Sequence, residues 1–430
     1  MLKTHNIPVR FLSSIFLLTV LLSGCSSQRK AHRFLEKQLG YIEEGDQFTG
    51  FLMVDVDRRD TLYRWNAGKY FTPASNMKVF TLYAGLKVLE DRIPALKYKV
   101  RSDTLHVLGT GDPTALHPVL RDTTAVTFMK TFSHLVLYTG NLLDPAWGAG
   151  WAWDDFDRGY MPPRSSLPVY GNVVRVTRHG GDPEVVPSLF RDSVRAEKQP
   201  FRRSPDKNQF YYPPSLPDTV LIPLRLNPFL IGKLWEGATG IPVTTDTKTP
   251  EGPWQVLPGM ASDSLYREMM TVSDNFLAEQ LMLMVSATLG DSLSFSHARD
   301  HILETYLRDM PSPPRWVDGS GLSRYNLCSP ESLVSLLLEL YREIPEERLF
   351  ALMARGGGEG TLKDWYIDLE EPYLFGKTGS LSNNHNLCGY LKTRSGKVLA
   401  FSFMNNHFRK PPLIVKSRMQ RILSWVRDNY

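Results

Sequence analysis

The chain has 430 residues and a net charge of +5, a balance too mild to argue for nucleic acid as a partner. Hydrophobic residues at 42% and charged residues at 22% exclude a disordered chain or a coiled coil. The length suffices for two or three domains, and three cysteines cannot staple a chain of this size.

The composition is uneven at the start. Residues 1–10 carry Lys3 and Arg10 and no acid, and residues 11–22 (FLSSIFLLTVLL) are almost wholly apolar. A basic start followed by a short apolar run makes an export signal. As a helix that run rises about 18 Å, too short for a hydrocarbon core of roughly 30 Å. The ending Leu22-Ser23-Gly24-Cys25 resembles a bacterial lipobox, in which Cys25 is the lipid-attachment residue. Residues 1–24 therefore read as a lipoprotein signal peptide and residues 25–32 as a polar tether. Export places the protein beyond the cytoplasmic membrane, where ATP is lacking, which argues against kinases and most nucleotide enzymes.

Downstream, Phe48–Val56 and Thr61–Trp65 read as strands joined by the polar turn Asp57-Arg58-Arg59-Asp60. A helix is expected from Ser75 to Glu90, with Met77, Phe80, Thr81, Ala84, Leu86 and Leu89 at helical spacing. Residues from about 98 to 245 change character, with many prolines and short β-like runs such as Asn172–Val176 and Thr219–Leu226. Helical patterning resumes over residues 262–288, with a break near Thr271–Ser273, and again at Ser329–Glu343. Three strand-like runs (Tyr373–Leu381, Asn386–Thr393, Val398–Asn405) and a helix from Pro412 to Asp428 close the chain. Strands at both ends suggest one sheet completed by both termini, with the middle as an excursion.

Three short motifs carry chemistry. Ser75-Asn76-Met77-Lys78 sets a hydroxyl and an amine at i and i+3, on one helix face. A lysine in a poorly solvated pocket loses its proton near neutral pH and can act as base toward serine. The same S-x-x-K spacing at Ser27–Lys30 and Ser204–Lys207 falls in polar segments, and only Ser75 opens an apolar-faced helix. Ser273-Asp274-Asn275 offers a second hydroxyl to relay a proton and an amide to hold a substrate backbone; a plain helix cap is the competing reading. In Gly376-Lys377-Thr378-Gly379-Ser380, Lys377 and Gly379 point the same way on a strand, giving a cation for a carboxylate and room for a peptide backbone. H-E-x-x-H is absent, so a zinc carboxypeptidase is unsupported and no metal or cofactor is expected.

The trio, in this order, resembles the penicillin-recognising serine enzymes. The stretches Lys69–Lys78, Gly109–Thr114, Gly150–Asp155, Val272–Glu279, Asp318–Arg324, Gly360–Leu362 and Gly376–Leu381 are similar to the DacB-type D-Ala-D-Ala carboxypeptidase/endopeptidase family, peptidase family S13. The resemblance implies an α+β fold of the serine β-lactamase/transpeptidase-like kind: a five-stranded antiparallel sheet flanked by helices, with an inserted β-rich domain. On that basis residues 33–97 and 251–430 form the catalytic domain and residues 98–250 the insertion. It also implies a serine acyl-enzyme, with Ser75 as nucleophile and Lys78 as base. Ser273 would pass the proton to the departing D-alanine, and Asn275 would hold the peptide amide. Lys377, with Thr378 and Ser380, would bind the terminal carboxylate beside Gly379. Asp155 would face the amino end of the stem peptide's diamino acid. The implied partners are peptidoglycan stem peptides and β-lactam antibiotics, plus a membrane through the N-terminal lipid anchor. A serine β-lactamase or a non-catalytic cell-wall binder on the same fold is the alternative. Cys328 and Cys388 are either a pair or two buried thiols, and the run from Arg191 to Lys207 reads as a solvated basic loop.

Overall fold

The computed structural model describes residues 28–40, 47–178, 180 and 182–430, so Cys25 and the leader lie outside the described residues. Its main sheet is antiparallel throughout, in the order Ala354–Arg355, Leu374–Leu381, Asn384–Lys392, Val398–Asn406, Phe48–Asp55, Thr61–Trp65. Five strands make the sheet that the sequence implies; the sixth, Ala354–Arg355, is a two-residue addition that leaves the edge open from Lys377 onward. Both chain ends meet in this sheet, because Phe48–Asp55 pairs with Val398–Asn406 over its whole length.

The two central strands are buried on both faces. Their side chains alternate with period two. Cys388, Tyr390, Ala400 and Met404 face one apolar cluster, shared with the helices Lys78–Val88, Asn275–Leu289 and Pro330–Glu343. Leu387, Leu391, Leu399, Phe401 and Phe403 face the other, against a helix over residues 28–40 and the helix Pro412–Asn429. Val415, Met419, Ile422, Leu423 and Val426 supply the apolar stripe of that last helix at helical spacing. Cys328 and Cys388 are both free and buried.

A second body runs between the halves of this sheet. Its five-stranded mixed sheet has the order Val243–Asp246, His134–Tyr138, Thr104–Leu108, Arg92–Arg101, Gln255–Ala261. A three-stranded sheet (Thr219–Pro223, Val173–Thr177, Glu184–Val186) packs into the same core. The region also holds a helix that β-like patterning did not suggest, Pro228–Thr239. Its start is written locally: the Asn227 side chain accepts from the Leu230 amide, Pro228 fits the first turn, and Gly240 closes the end in the left-handed region. The basic run is not wholly solvated either, since Arg203 is buried with its guanidinium over the Phe156 ring. The two bodies lock together through Gln280, whose amide donates to the carbonyls of Gly111 and Ser165 and accepts from the Ser165 amide.

Candidate active site

Spacing predicts an α-helix that opens at Ser75, and the structure differs. Ser75 sits in a single 3-10 turn, Ala74–Met77, and the α-helix follows as Lys78–Val88. The tighter turn is held from two sides. A Cβ on Gly379 would lie 2.4 Å from the Pro73 carbonyl oxygen and 2.6 Å from the Asn76 side chain, so only glycine lets the strand approach this closely. A Cβ on Gly321 would meet the Ala74 carbonyl oxygen at 1.9 Å, and its φ of +82° is itself a glycine conformation.

The Lys78 side chain is fully buried. Its Nζ donates to Ser75 Oγ at 3.0 Å, to Asn275 Oδ1 at 2.6 Å and to the Ser320 carbonyl at 2.7 Å. Burial lowers its pKa to about 8, although Asp274, Asp318 and Glu279 all pull the other way. The spacing Ser75–Lys78 thus brings hydroxyl and amine into contact, and the S-D-N motif adds Asn275. Ser273 is not among the partners of Lys78. It occupies the break between the helices Ser262–Thr271 and Asn275–Leu289, with φ +66°, and Asp274 caps the second helix by accepting from the Leu277 amide at 2.9 Å.

Lys377 is also fully buried and donates to the Thr378 carbonyl at 2.8 Å. Burial and then the neighbouring Lys78 charge push its pKa well below the usual lysine value. Thr378 and Ser380 alternate with Lys377 and Gly379 along the strand. Ser380 is exposed, and its hydroxyl lies 2.8 Å from His385 Nδ1. Burial holds His385 neutral, at a pKa of about 3. Asp155 sits in the turn Trp153–Asp155 and accepts from the Tyr160 hydroxyl at 2.5 Å. The Tyr160 carbonyl in turn accepts from Asn275 Nδ2 at 2.9 Å, so Asp155 is tied to the site through one residue.

Several supporting residues carry no short-motif signal. The Ser320 carbonyl that faces Lys78 belongs to a loop built on buried Asp318, whose carboxylate accepts from the Gly321 and Ser323 amides, Asn326 Nδ2 and Trp151 Nε1. Burial, then Glu279, raises Asp318 to about 6. Glu279 accepts from the Ser320 amide at 2.7 Å and from Arg164 Nε at 2.9 Å and Nη2 at 2.5 Å. Burial opposes the Arg164 charge, but Glu279 and Asp144 outweigh it. The stretches around Asp318 and Glu279 stand out in the sequence; Arg164, between prolines and serines, does not. Among the described residues no three His, Cys, Asp or Glu side chains gather as a metal site.

Chemically, a hydroxyl, a buried amine near its neutral form and an open strand edge with a buried lysine that a carboxylate would recharge suit acyl transfer from a carboxylate-ended peptide. Comparison with known proteins agrees. "Carboxypeptidase DacB" of Mycolicibacterium smegmatis is 34% identical over 151 residues, 33% of this chain and 33% of that protein. The chain thus aligns with only about a third of that relative's length. "D-alanyl-D-alanine carboxypeptidase DacB" of Haemophilus influenzae is 23% identical over 439 residues, covering 90% of this chain and 91% of that protein. The crystal structure of penicillin binding protein 4 (dacB) from Haemophilus influenzae superposes with a TM-score of 0.69 at 19% identity, over 89% of this chain and 97% of that one. The Bd0816 predatory endopeptidase of Bdellovibrio bacteriovorus gives 0.51 at 14% identity, over 88% and 94%. Residues 35–191 and 239–426 match the D-Ala-D-Ala carboxypeptidase 3 (S13) family, and the chain belongs to that family.

Proposed function

We propose that the chain is a serine-type D-Ala-D-Ala carboxypeptidase of peptidoglycan stem peptides, with cleavage of D-Ala–diamino acid crosslinks as a second activity of the same site. The observation that carries this reading is the Ser75–Lys78 pair, a hydroxyl 3.0 Å from a dry amine whose pKa is lowered to about 8. Membership of the S13 family supports it.

Ser75 Oγ attacks the carbonyl between the two D-alanines while Lys78 takes its proton. Backbone N–H groups of Ser75 and Ser380 receive the developing oxyanion. The C–N bond then breaks, and the proton returns from Lys78 to the departing amine with the Ser273 hydroxyl as relay, although Lys78 itself is hydrogen-bonded to Ser75, Asn275 and Ser320 and not to Ser273. Water releases the shortened peptide and restores Ser75. Lys377, at the open edge beside Thr378, Gly379 and Ser380, holds the terminal carboxylate, and Asn275 holds the peptide amide. Asp155, in the second body between the halves of the main sheet, faces the diamino acid. β-Lactams acylate Ser75 because their ring imitates the scissile amide. The protein is exported and carries lipid on Cys25.

The test is release of free D-alanine from a stem pentapeptide, with Ser75→Ala as control, alongside intact mass after penicillin treatment. Release by the wild type alone, with a lasting adduct on Ser75, is expected. Rapid turnover of penicillin without D-alanine release makes the protein a β-lactamase, and an unmodified mass makes it a binder.

A further inference from the structure

The two helices on the sheet face away from Ser75 form a surface that the proposed reaction does not use. They run antiparallel: Phe34 stacks on Trp425 with centroids 3.8 Å apart, Lys30 donates to Asn429 at 2.8 Å, and Arg421 donates to Gln38 at 3.5 Å. Between them lies an open groove of about 560 Å³, lined by Phe34, Gln38, Arg418, Arg421 and Trp425. Its charge is one-sided. Burial and the neighbouring Arg421 disfavour the Arg418 charge, and among the described residues neither arginine is paired with a carboxylate. Exposed Arg33 and Lys37 continue the basic surface on the first helix, where Glu36 is the one acid. At the start of the last helix, Leu413 is 64% exposed and Ile414 46% exposed, beside exposed Lys410.

Paired arginines with an aromatic between apolar helix faces suit a phosphate that sits at a water–lipid boundary. Exposed leucine and isoleucine flanked by cations are what an interfacial helix presents to a bilayer. We propose that this helix pair docks flat on an anionic phospholipid surface, with a headgroup phosphate in the groove between Arg418 and Arg421 and with Leu413 and Ile414 dipping into the acyl boundary. Two features favour a membrane over a soluble polyanion: the apolar side chains beside the groove, and, resting on the lipid proposed above for Cys25, the closeness of that residue in sequence to residue 28, the first described residue of this helix. The sheet lies between this face and the Ser75 helix, so docking turns the nucleophile side away from the bilayer and toward the wall.

This inference goes beyond the peptidase reading and is tested separately from it. Residues from 28 onward contain every described element, so the chain starting at Ser26, without leader or lipid, is the protein to use. It is sedimented with vesicles of phosphatidylglycerol and phosphatidylcholine, and with phosphatidylcholine alone. Binding to the anionic vesicles is expected, about tenfold weaker or more for Arg418→Glu/Arg421→Glu, since each basic residue near an anionic surface adds roughly fivefold. Leu413→Ser/Ile414→Ser weakens it as well, and both double variants keep wild-type penicillin acylation. Equal binding to both vesicle types, wild-type binding by the arginine variant, or capture of soluble polyphosphate without vesicle association each overturns the proposal.

Discussion

Replacing Asn275 by aspartate puts a carboxylate where an amide oxygen now lies 2.6 Å from Lys78 Nζ. With its pKa near 8, about one Lys78 in ten is a free amine at pH 7. An opposite charge in contact raises such a group by about 1–3 units, and the free-amine share at pH 7 falls roughly 10- to 1000-fold. If the free amine takes the Ser75 proton, acylation must fall with it. The assay is the second-order rate of labelling by a fluorescent penicillin from pH 6 to pH 10. Wild type rises tenfold per unit and bends near pH 8; Asn275→Asp bends about 1–3 units higher and approaches the wild-type rate at high pH. Asn275→Ala removes an acceptor that favours the ammonium form, so its bend moves down. The aspartate also loses the donor to the Tyr160 carbonyl, costing about 1–3 kcal/mol of stability, which a Tm measurement separates from the pH shift. A bend that stays put in both variants, or moves the same way in both, refutes Lys78 as the base.

Arg164→Ala leaves Glu279 buried without its cation and is expected to cost about 3–5 kcal/mol by chemical denaturation; a loss under 1 kcal/mol contradicts the buried pair. Gly379→Ala drives a Cβ against the Pro73 carbonyl, so penicillin acylation should drop sharply while circular dichroism stays native; unchanged acylation means the strand can shift. The folded pKa of Lys78, about 8, lies below the unfolded value of 10.5, so the unfolded state binds the extra proton between them. Stability relative to Lys78→Met should therefore rise by about 3 kcal/mol from pH 8 to 10.5, with the full penalty present below pH 8; a flat difference refutes the shift. Because burial and Lys78 disfavour the Lys377 ammonium, a bound carboxylate should recharge it. Calorimetry of Ser75→Ala with a D-Ala-D-Ala peptide, in two buffers of different ionisation enthalpy, should register proton uptake; none would mean Lys377 is charged already.

What was legible in the sequence was local. The i, i+3 spacing of Ser75 and Lys78, the period of two at Lys377 and Gly379, and the strands at both ends each follow from short-range geometry. The helix Pro228–Thr239 had its cap and stop residues in plain view at Asn227 and Gly240, yet its surroundings read as β-rich. The Ser320 carbonyl left no signal, because any residue type supplies one. The Arg164–Glu279 pair joins segments 115 positions apart, and no local pattern announces a contact of that separation. Register was equally hidden: the 3-10 turn at Ser75 follows from what presses on it, not from its own residues.

That pressure explains how the nucleophile is held. Ala74 has φ +51°, a conformation that costs a non-glycine residue about 1–2 kcal/mol and persists only when neighbours enforce it. Here the enforcement comes from three directions. Gly379 meets the turn from the sheet and Gly321 from the Asp318 loop, each at a distance that a side chain would forbid. Ahead of the turn, the Thr72 amide donates to Asn406 Oδ1 at 2.7 Å, and the Thr72 carbonyl accepts from Asn386 Nδ2 at 2.9 Å. The two asparagines stand at the ends of the central strands, which are buried on both faces, so the strain at Ala74 is supported by the best-packed part of the sheet. The same Asp318 loop that presses Gly321 on Ala74 also aims the Ser320 carbonyl at Lys78. Nucleophile and base are therefore positioned by one loop, and a change that loosens it displaces both.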